Sequence, residues 1–296
     1  NIHFRTMFVS KELTLLLLAV YFFTHVLSKQ LPMRIFKLIS HWMRWLTFAC
    51  AFSLMLTFFE WSSRPDWVHF ISGLAVWFIL ETLYYKLSIH LLNISEMELF
   101  PKYKNDTDDN LWPINKRVLK IKELLRKEGF KSEETLKAQI VAHLTIRQAV
   151  FFNEDQTIRL NVLFIPNAKN EIQLFYSLFS LKSDGEYLIT DNQNMPFGGF
   201  YPDHWTVNRF PVCHSLKKLL KKHQEAMKGA HGTWSQFEGD IRTKTNRLQL
   251  ELEQKNREMG FLNEPNQEVT HQISSEGCFR IWTEMWMLAY LGKTLS

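Results

Sequence analysis

Residues 13–27 (LTLLLLAVYFFTHVL), 42–61 (WMRWLTFACAFSLMLTFFEW) and 67–92 (WVHFISGLAVWFILETLYYKLSIHLL) are three apolar runs separated by short polar connections. The first run has 15 residues, or about 22 Å of helix, and falls short of a hydrocarbon core of roughly 30 Å. Extending it to Val9 and Ser28 closes the gap, with Lys11 and Lys29 reaching towards headgroups at its two ends. A cleaved signal peptide is the rival reading. The stretch His25-Val26-Leu27-Ser28-Lys29 lacks the small-x-small pattern of a cleavage site, which favours an uncleaved anchor. The second run carries Trp42 and Trp45 at one end and Trp61 at the other, as two interfacial aromatic belts require. The third opens at Trp67 and is apolar through Leu80, where Glu81 interrupts it about 21 Å along the helix. A carboxylate at that depth needs a partner. Arg44 and Lys86 are the candidates within the chain, and an intramembrane contact with another protein is the alternative.

The loops orient these runs. Lys29, Arg34, Lys37 and Arg44 surround the first connection, whereas residues 62–66 hold the single cation Arg64. The positive-inside rule then places the first connection in the cytoplasm, the N-terminus outside, and everything after Asn93 in the cytoplasm. Asn105-Asp106-Thr107 is a formal glycosylation sequon that this orientation leaves unmodified. Cys50, Cys213 and Cys278 are too few and too scattered for a disulfide framework.

Charge divides unevenly along the chain. Residues 1–93 hold 8 Lys and Arg against 4 Asp and Glu, while residues 94–296 hold 27 against 26. The net +5 therefore belongs mostly to the membrane-flanking part. A near-neutral remainder argues against a nucleic-acid partner, which requires a concentrated basic face. There is no zinc-type cysteine pairing and no glycine-rich phosphate loop, and the 11 histidines show no HExxH spacing. Neither a metal nor a cofactor is expected.

The expected fold is a membrane-anchored α+β protein, with three transmembrane helices in 1–93, a polar linker in 94–113 and a cytoplasmic domain in 114–296. Residues 114–128 read as a helix ended by Gly129, with Val118, Ile121, Leu124 and Leu125 as its apolar stripe. From Leu136 to Ile146 the period changes to alternation and predicts a strand, although Ser132-Glu-Glu-Thr135 could cap a helix over the same residues. Ile158, Leu160, Val162 and Phe164 alternate with Thr157, Arg159, Asn161 and Leu163, so the first set faces the core and the second faces away. Residues 171–181 and 186–190 follow as strands joined at Ser183-Asp-Gly185. Such short connections predict an antiparallel meander. Residues 191–211 read as a loop, and helices follow over 214–227, 240–259 and the tail from Glu276.

Two segments stand out as candidate sites. Residues 196–211 combine Gly198, Gly199, Asp203, His204, Trp205 and Arg209, where paired glycines would let a ligand approach the backbone. The competing explanation is a long connection pinned by its own aromatic residues. Lys217, Lys218, Lys221 and Lys222 crowd one side of the next helix, as in a segment resting on anionic lipid or in an ordinary solvated face. Cys213-His214, with Asp203 or His204 as helpers, is the nearest approach to a nucleophile and base. No catalytic residue is assigned. The leading expectation is a membrane protein whose domain binds a ligand or a membrane or cytoplasmic protein partner. A membrane-bound hydrolase- or transferase-like enzyme using residues 196–214, and an accessory subunit of a membrane complex, are the alternatives.

Overall fold

Asp66, His69, Gly73, Glu81, Tyr85 and Asn93 fall three, four or eight residues apart, a spacing that places them on one face of a helix. A computed structural model describes residues 11–30, 34–107, 116–141, 144–166, 172–264 and 272–295. In it, α1 (Lys11–Gln30), α2 (Arg34–Phe58) and α3 (Asp66–Asn93) pack in sequence, and this polar face of α3 is the buried one. On α2 the buried residues are Ser40, Ala49, Cys50 and Ser53. Phe22, Phe58, Trp61, Leu83 and Tyr84 are instead each more than half exposed. Small and polar side chains thus lie between the helices and large apolar ones point outward, the reverse of a water-soluble bundle. At Gly73 the helices approach closely, and a Cβ there would stand 2.9 Å from the Cα of Ala49.

Two of these helices, α1 and α3, are long and apolar enough to cross a membrane. The expectation of three is corrected at α2, which starts at Arg34 and so carries Arg34, Lys37 and Arg44 in its first three turns. Its remaining uncharged stretch, residues 45–58, is about 21 Å long, short of a roughly 30 Å core.

Beyond α3 the chain is α+β. The strands β1 (Lys104–Asn105), β2 (Lys131–Val141), β3 (Leu144–Phe152), β4 (Arg159–Pro166), β5 (Ile172–Lys182), β6 (Tyr187–Asp191) and β7 (Trp205–Arg209) lie side by side in chain order. A short β8 (Trp234–Ser235) pairs with β5. One face is covered by α4 (Lys116–Lys127) and α5 (Leu216–Gly229). Val118, Ile121 and Leu125 of α4 and Leu216, Leu219 and Leu220 of α5 join Leu160, Val162, Phe164 and Leu178 of the sheet in a single core. The second face buries Leu136, Ala138, Ile146, Val150 and Phe152 with Tyr103 and Phe237. Helix α6 (Ile241–Glu258) lies over it, capped by the Asp240 carboxylate accepting from the Thr243 backbone N–H.

Several expectations change with this second layer. Ile158, Leu160, Val162 and Phe164 are buried as expected, but Arg159 and Asn161 are buried too. Arg159 donates to Asn161 Oδ1 at 2.9 Å and to Thr245 Oγ1 of α6 at 2.6 Å, so the polar alternation marks an internal network rather than a wet face. Burial pushes the Arg159 guanidinium down to about 10, and it remains charged at neutral pH. The expected single strand over 136–146 is two paired strands, with Val141 opposite Leu144 and Ala142 and His143 outside the described residues. The linker contributes β1 and the buried Tyr103. Residues 205–209 are a strand and not part of a loop. They run parallel to β6, since residues 192–204 cross back before pairing.

Gly73→Leu is expected to force α2 and α3 apart, because the neighbouring atom is backbone and cannot yield. The check is thermal unfolding in detergent. Gly73→Leu should lower the transition temperature by several degrees or more, whereas Leu83→Ala, on the outward face, should leave it nearly unchanged.

Candidate functional site

Residues 196–211 are held from two sides. Asn256 of α6 pairs with the backbone of Phe200 in both directions, accepting its N–H and donating to its C=O, each at 2.8 Å. From α7 (Ser275–Trp286), Glu284 accepts the N–H of Phe197 at 3.2 Å and of Gly198 at 2.5 Å. The other Glu284 oxygen receives Arg209 Nη1 at 2.5 Å, and Arg209 Nε lies 3.8 Å from Asp191. Gly198 is at φ +67, and a Cβ there would meet the Ile281 backbone nitrogen at 2.7 Å. At Gly199 a Cβ would collide with Asn256 Oδ1. The paired glycines therefore admit helices α6 and α7. Asp191 shows what this burial costs, its carboxyl being pushed up to about 6 by desolvation against the pull of Arg209.

The six candidate ligand residues fall into two groups, Gly198, Gly199 and Arg209 beside Glu284 and Asn256, and Asp203, His204 and Trp205 beside Lys255 and Glu251. Gly198, Gly199 and Arg209 are occupied by protein partners as described. Asp203 is 92% exposed and paired with Lys255 at 2.9 Å, and His204 lies 3.5 Å from Glu251 and accepts from Trp205 Nε1. Cys213 donates to the Ser215 carbonyl at 3.6 Å, and His214 Nε2 accepts the Arg34 backbone N–H at 2.5 Å. The imidazole's basic nitrogen is thus engaged by backbone. A hydroxyl–imidazole contact does exist elsewhere, with His223 Nε2 3.0 Å from Ser180 Oγ and Nδ1 2.8 Å from Thr190 Oγ1. Ser180 donates onward to the Thr157 carbonyl at 2.9 Å, and both Ser180 and His223 are fully buried. This arrangement bridges α5 to the sheet within the core. Desolvation lowers the His223 ring to about 4, so it is neutral.

A third constellation joins the first helices to the C-terminus. Glu81 is 6% exposed and accepts from Arg44, Trp77 and Tyr85 at 2.9 Å each, and from the Tyr290 hydroxyl. Arg44 is the partner taken from the two sequence candidates. Tyr290 belongs to a π-helical turn, Met287–Leu291, that continues α7, and its carbonyl accepts Trp42 Nε1 at 2.8 Å. Trp45 and Trp286 pack on the same tyrosine ring at 5.1 and 4.9 Å. At the start of α2, Arg34 donates to Asn192 O at 2.5 Å and to Pro211 O, and its guanidinium stands over Phe175. At the end of α3, Asn93 holds both the N–H and the C=O of Ile273. These contacts enclose a cleft of about 180 Å³ between the first turns of α2, the π-helical turn and residues 194–196 and 211–212. Sequence reasoning missed Arg34, Glu284, Tyr290 and this cleft. Glu284 alone left a signal, as the one carboxylate in the apolar tail FRIWTEMWMLAYLG.

The four lysines Lys217, Lys218, Lys221 and Lys222 are all exposed on α5. Because α4 covers the same sheet face, Lys120, Arg126 and Lys127 extend the basic surface, which the near-neutral charge of residues 94–296 concealed. No family model, no curated protein and no solved structure matches this chain.

Glu284→Ala is expected to destabilise the domain by about 3–5 kcal/mol, since it strands a buried arginine and two N–H groups. Denaturant unfolding measures the loss, and hydrogen exchange should show amides 197 and 198 opening first. His223 has a pH signature. As pH falls the unfolded chain binds a proton at 6.5 before the folded ring does at about 4. Its contribution is complete above pH 6.5 and declines by about 3 kcal/mol on descent to pH 4. Asp191, raised in the fold, works in the opposite sense below about 6. The difference between wild type and His223→Gln in unfolding free energy against pH isolates the histidine, and a flat difference would refute the assignment.

Proposed function

We propose that this chain is a membrane-anchored binding protein. Helices α1–α3 sit in the bilayer, and the α+β domain is fastened to them at the cytoplasmic surface, where it binds a ligand or a protein partner. The observation that carries this reading is the outward display of large apolar side chains on α1–α3 around a polar seam. Lipid tails accept that surface, whereas water does not. In this setting α2 keeps its cations at the headgroup level, and its short second half reaches the far side only where the bilayer thins around it, with the Arg44 charge met by Glu81.

Orientation follows from Arg34. It belongs to the cationic connection that the positive-inside rule assigns to the cytoplasm, and it also touches Asn192 and Pro211 of the domain. Domain and cations are therefore on one side. The basic layer of α4 and α5, including Lys217, Lys218, Lys221 and Lys222, suits an anionic lipid surface, each lysine near it adding about 1 kcal/mol. Binding is favoured over catalysis because the polar groups of residues 196–214 are engaged in fastening the domain. Glu81 is satisfied by its own chain, so the accessory-subunit reading loses the intramembrane contact that motivated it.

Alkaline carbonate should fail to extract the protein from membranes, and release without detergent would end the anchoring reading. For orientation, Asn105 is exposed on the edge strand β1. In a eukaryotic host it should stay unglycosylated, with no mobility shift on endoglycosidase treatment. An Asp184→Cys variant, at the exposed hairpin tip between β5 and β6, should resist an impermeant maleimide until the membrane is opened. Labelling in intact cells would invert the topology.

A further inference from the structure

We propose that the cleft beside the start of α2 is a binding site for a phosphate group carried on an apolar stem. The lipid form of this ligand, an anionic phospholipid, rests on the anchoring reading above. Arg34, Lys37, Leu38 and His41 all line the cleft, and their i, i+3, i+4, i+7 spacing presents them from one face of α2. Three of the four are cationic or become so on protonation. No Asp or Glu lines the cleft. The nearest acids, Asp191 behind Arg34 and Glu81 beyond His41, lie outside the lining. The lining itself is basic, and an anion is the ligand that suits it.

The three basic groups are not equivalent. Arg34 is held by the Asn192 and Pro211 carbonyls and acts as a fixed charge. Lys37 is exposed and, among the described residues, forms no ion pair. His41 has Nδ1 against the Lys37 carbonyl at 2.7 Å, which orients the ring and directs Nε2 away from its own helix backbone. Nδ1 donates to that carbonyl, so Nε2 becomes a donor only in the protonated ring, and in that form His41 closes on a phosphate together with Lys37 from the adjacent turn.

The opposite wall is apolar. Val212, Met285 and Leu288 line it, and Leu288 lies in the π-helical turn, a local distortion that recurs at functional sites. Gly292 ends that turn at φ +62, and a Cβ there would meet Val212 at 2.7 Å. At about 180 Å³ the cleft is smaller than the roughly 300–1,000 Å³ of pockets that enclose a whole small molecule. It holds a headgroup and the first carbons of a stem, with the remainder outside. A membrane amphiphile meets that condition, because its tail stays in the bilayer. Tyr85 lines the cleft and also donates to Glu81, so an occupant would rest against the contact that joins the helices to the C-terminus.

The test uses the full-length protein in detergent micelles, titrated separately with phosphatidic acid, phosphatidylcholine and glycerol phosphate, with bound ligand counted by native mass spectrometry. One phosphatidic acid should bind saturably, at least tenfold more tightly than phosphatidylcholine. Lys37→Ala combined with His41→Ala should remove that preference, whereas alanines at Lys217, Lys218, Lys221 and Lys222 together should not. If the double variant fails to fold, judged by its thermal transition, Ala289→Phe fills the cleft without altering its charge and should weaken binding equally. Glycerol phosphate binding as tightly as phosphatidic acid would assign the site to a soluble phosphorylated compound and overturn the lipid source. Equal binding of both lipids, or loss only with the α5 lysines, would overturn the cleft itself. Failure of anchoring registers separately as carbonate extraction, and anion capture that depends on Lys37 and His41 would survive it.

Discussion

A carboxylate buried among apolar helices must be satisfied or neutralised, and at Glu81 four donors meet that demand. Arg44 comes from α2, Trp77 and Tyr85 from its own helix, and Tyr290 from a segment more than two hundred residues later in the chain. The last donor has the widest consequence. It draws the C-terminal turn onto α2 and α3, and with it the Trp45–Tyr290–Trp286 cluster. The bundle and the domain are thereby one assembly, and the cleft between them exists because the C-terminus is held there.

The same demand recurs inside the domain with a different outcome. Glu284 faces one arginine and two backbone N–H groups, and Asn256 faces both polar groups of Phe200. Between them they fix a long crossover whose backbone polar groups could not otherwise be buried. That crossover permits β7 to pair in parallel with β6 in an otherwise antiparallel sheet. Features that resemble a binding loop in the linear chain, paired glycines beside an arginine, are here the points at which two helices press against backbone. Burial distinguishes the groups, since Gly198, Gly199 and Arg209 are covered by the two helices while Asp203 and His204 of the same crossover stay exposed.

Charge behaves similarly. Residues 94–296 are nearly neutral in total, yet α4 and α5 lie on the same sheet face and their cations share one surface. Those two helices carry the acids Glu123 and Glu225, the latter beside Lys221, while Asp191 and Glu284 lie inside and Asp240 caps α6. A sum over sequence cannot register this, because sorting by face occurs only when helices distant along the chain pack on one sheet.

The sequence alone determined most of the element types, though not β1, β7 or the division between β2 and β3. Alternation at Ile158, Leu160, Val162 and Phe164, the Ser183-Asp-Gly185 turn and the helical stripes of α4 and α5 are local patterns with local physical causes, and the structure follows them. The apolar runs likewise specified three long helices. Local pattern could not decide how many faces of the sheet are covered, which is why Arg159 and Asn161 read as solvent-facing and are buried. Nor could it find the cleft, whose walls come from residues near 40, near 200 and near 290. Periodicity reports the environment of a residue relative to its own element. The partner that covers the element is set by long-range packing and by the satisfaction of buried polar groups, and only the tertiary structure decides those.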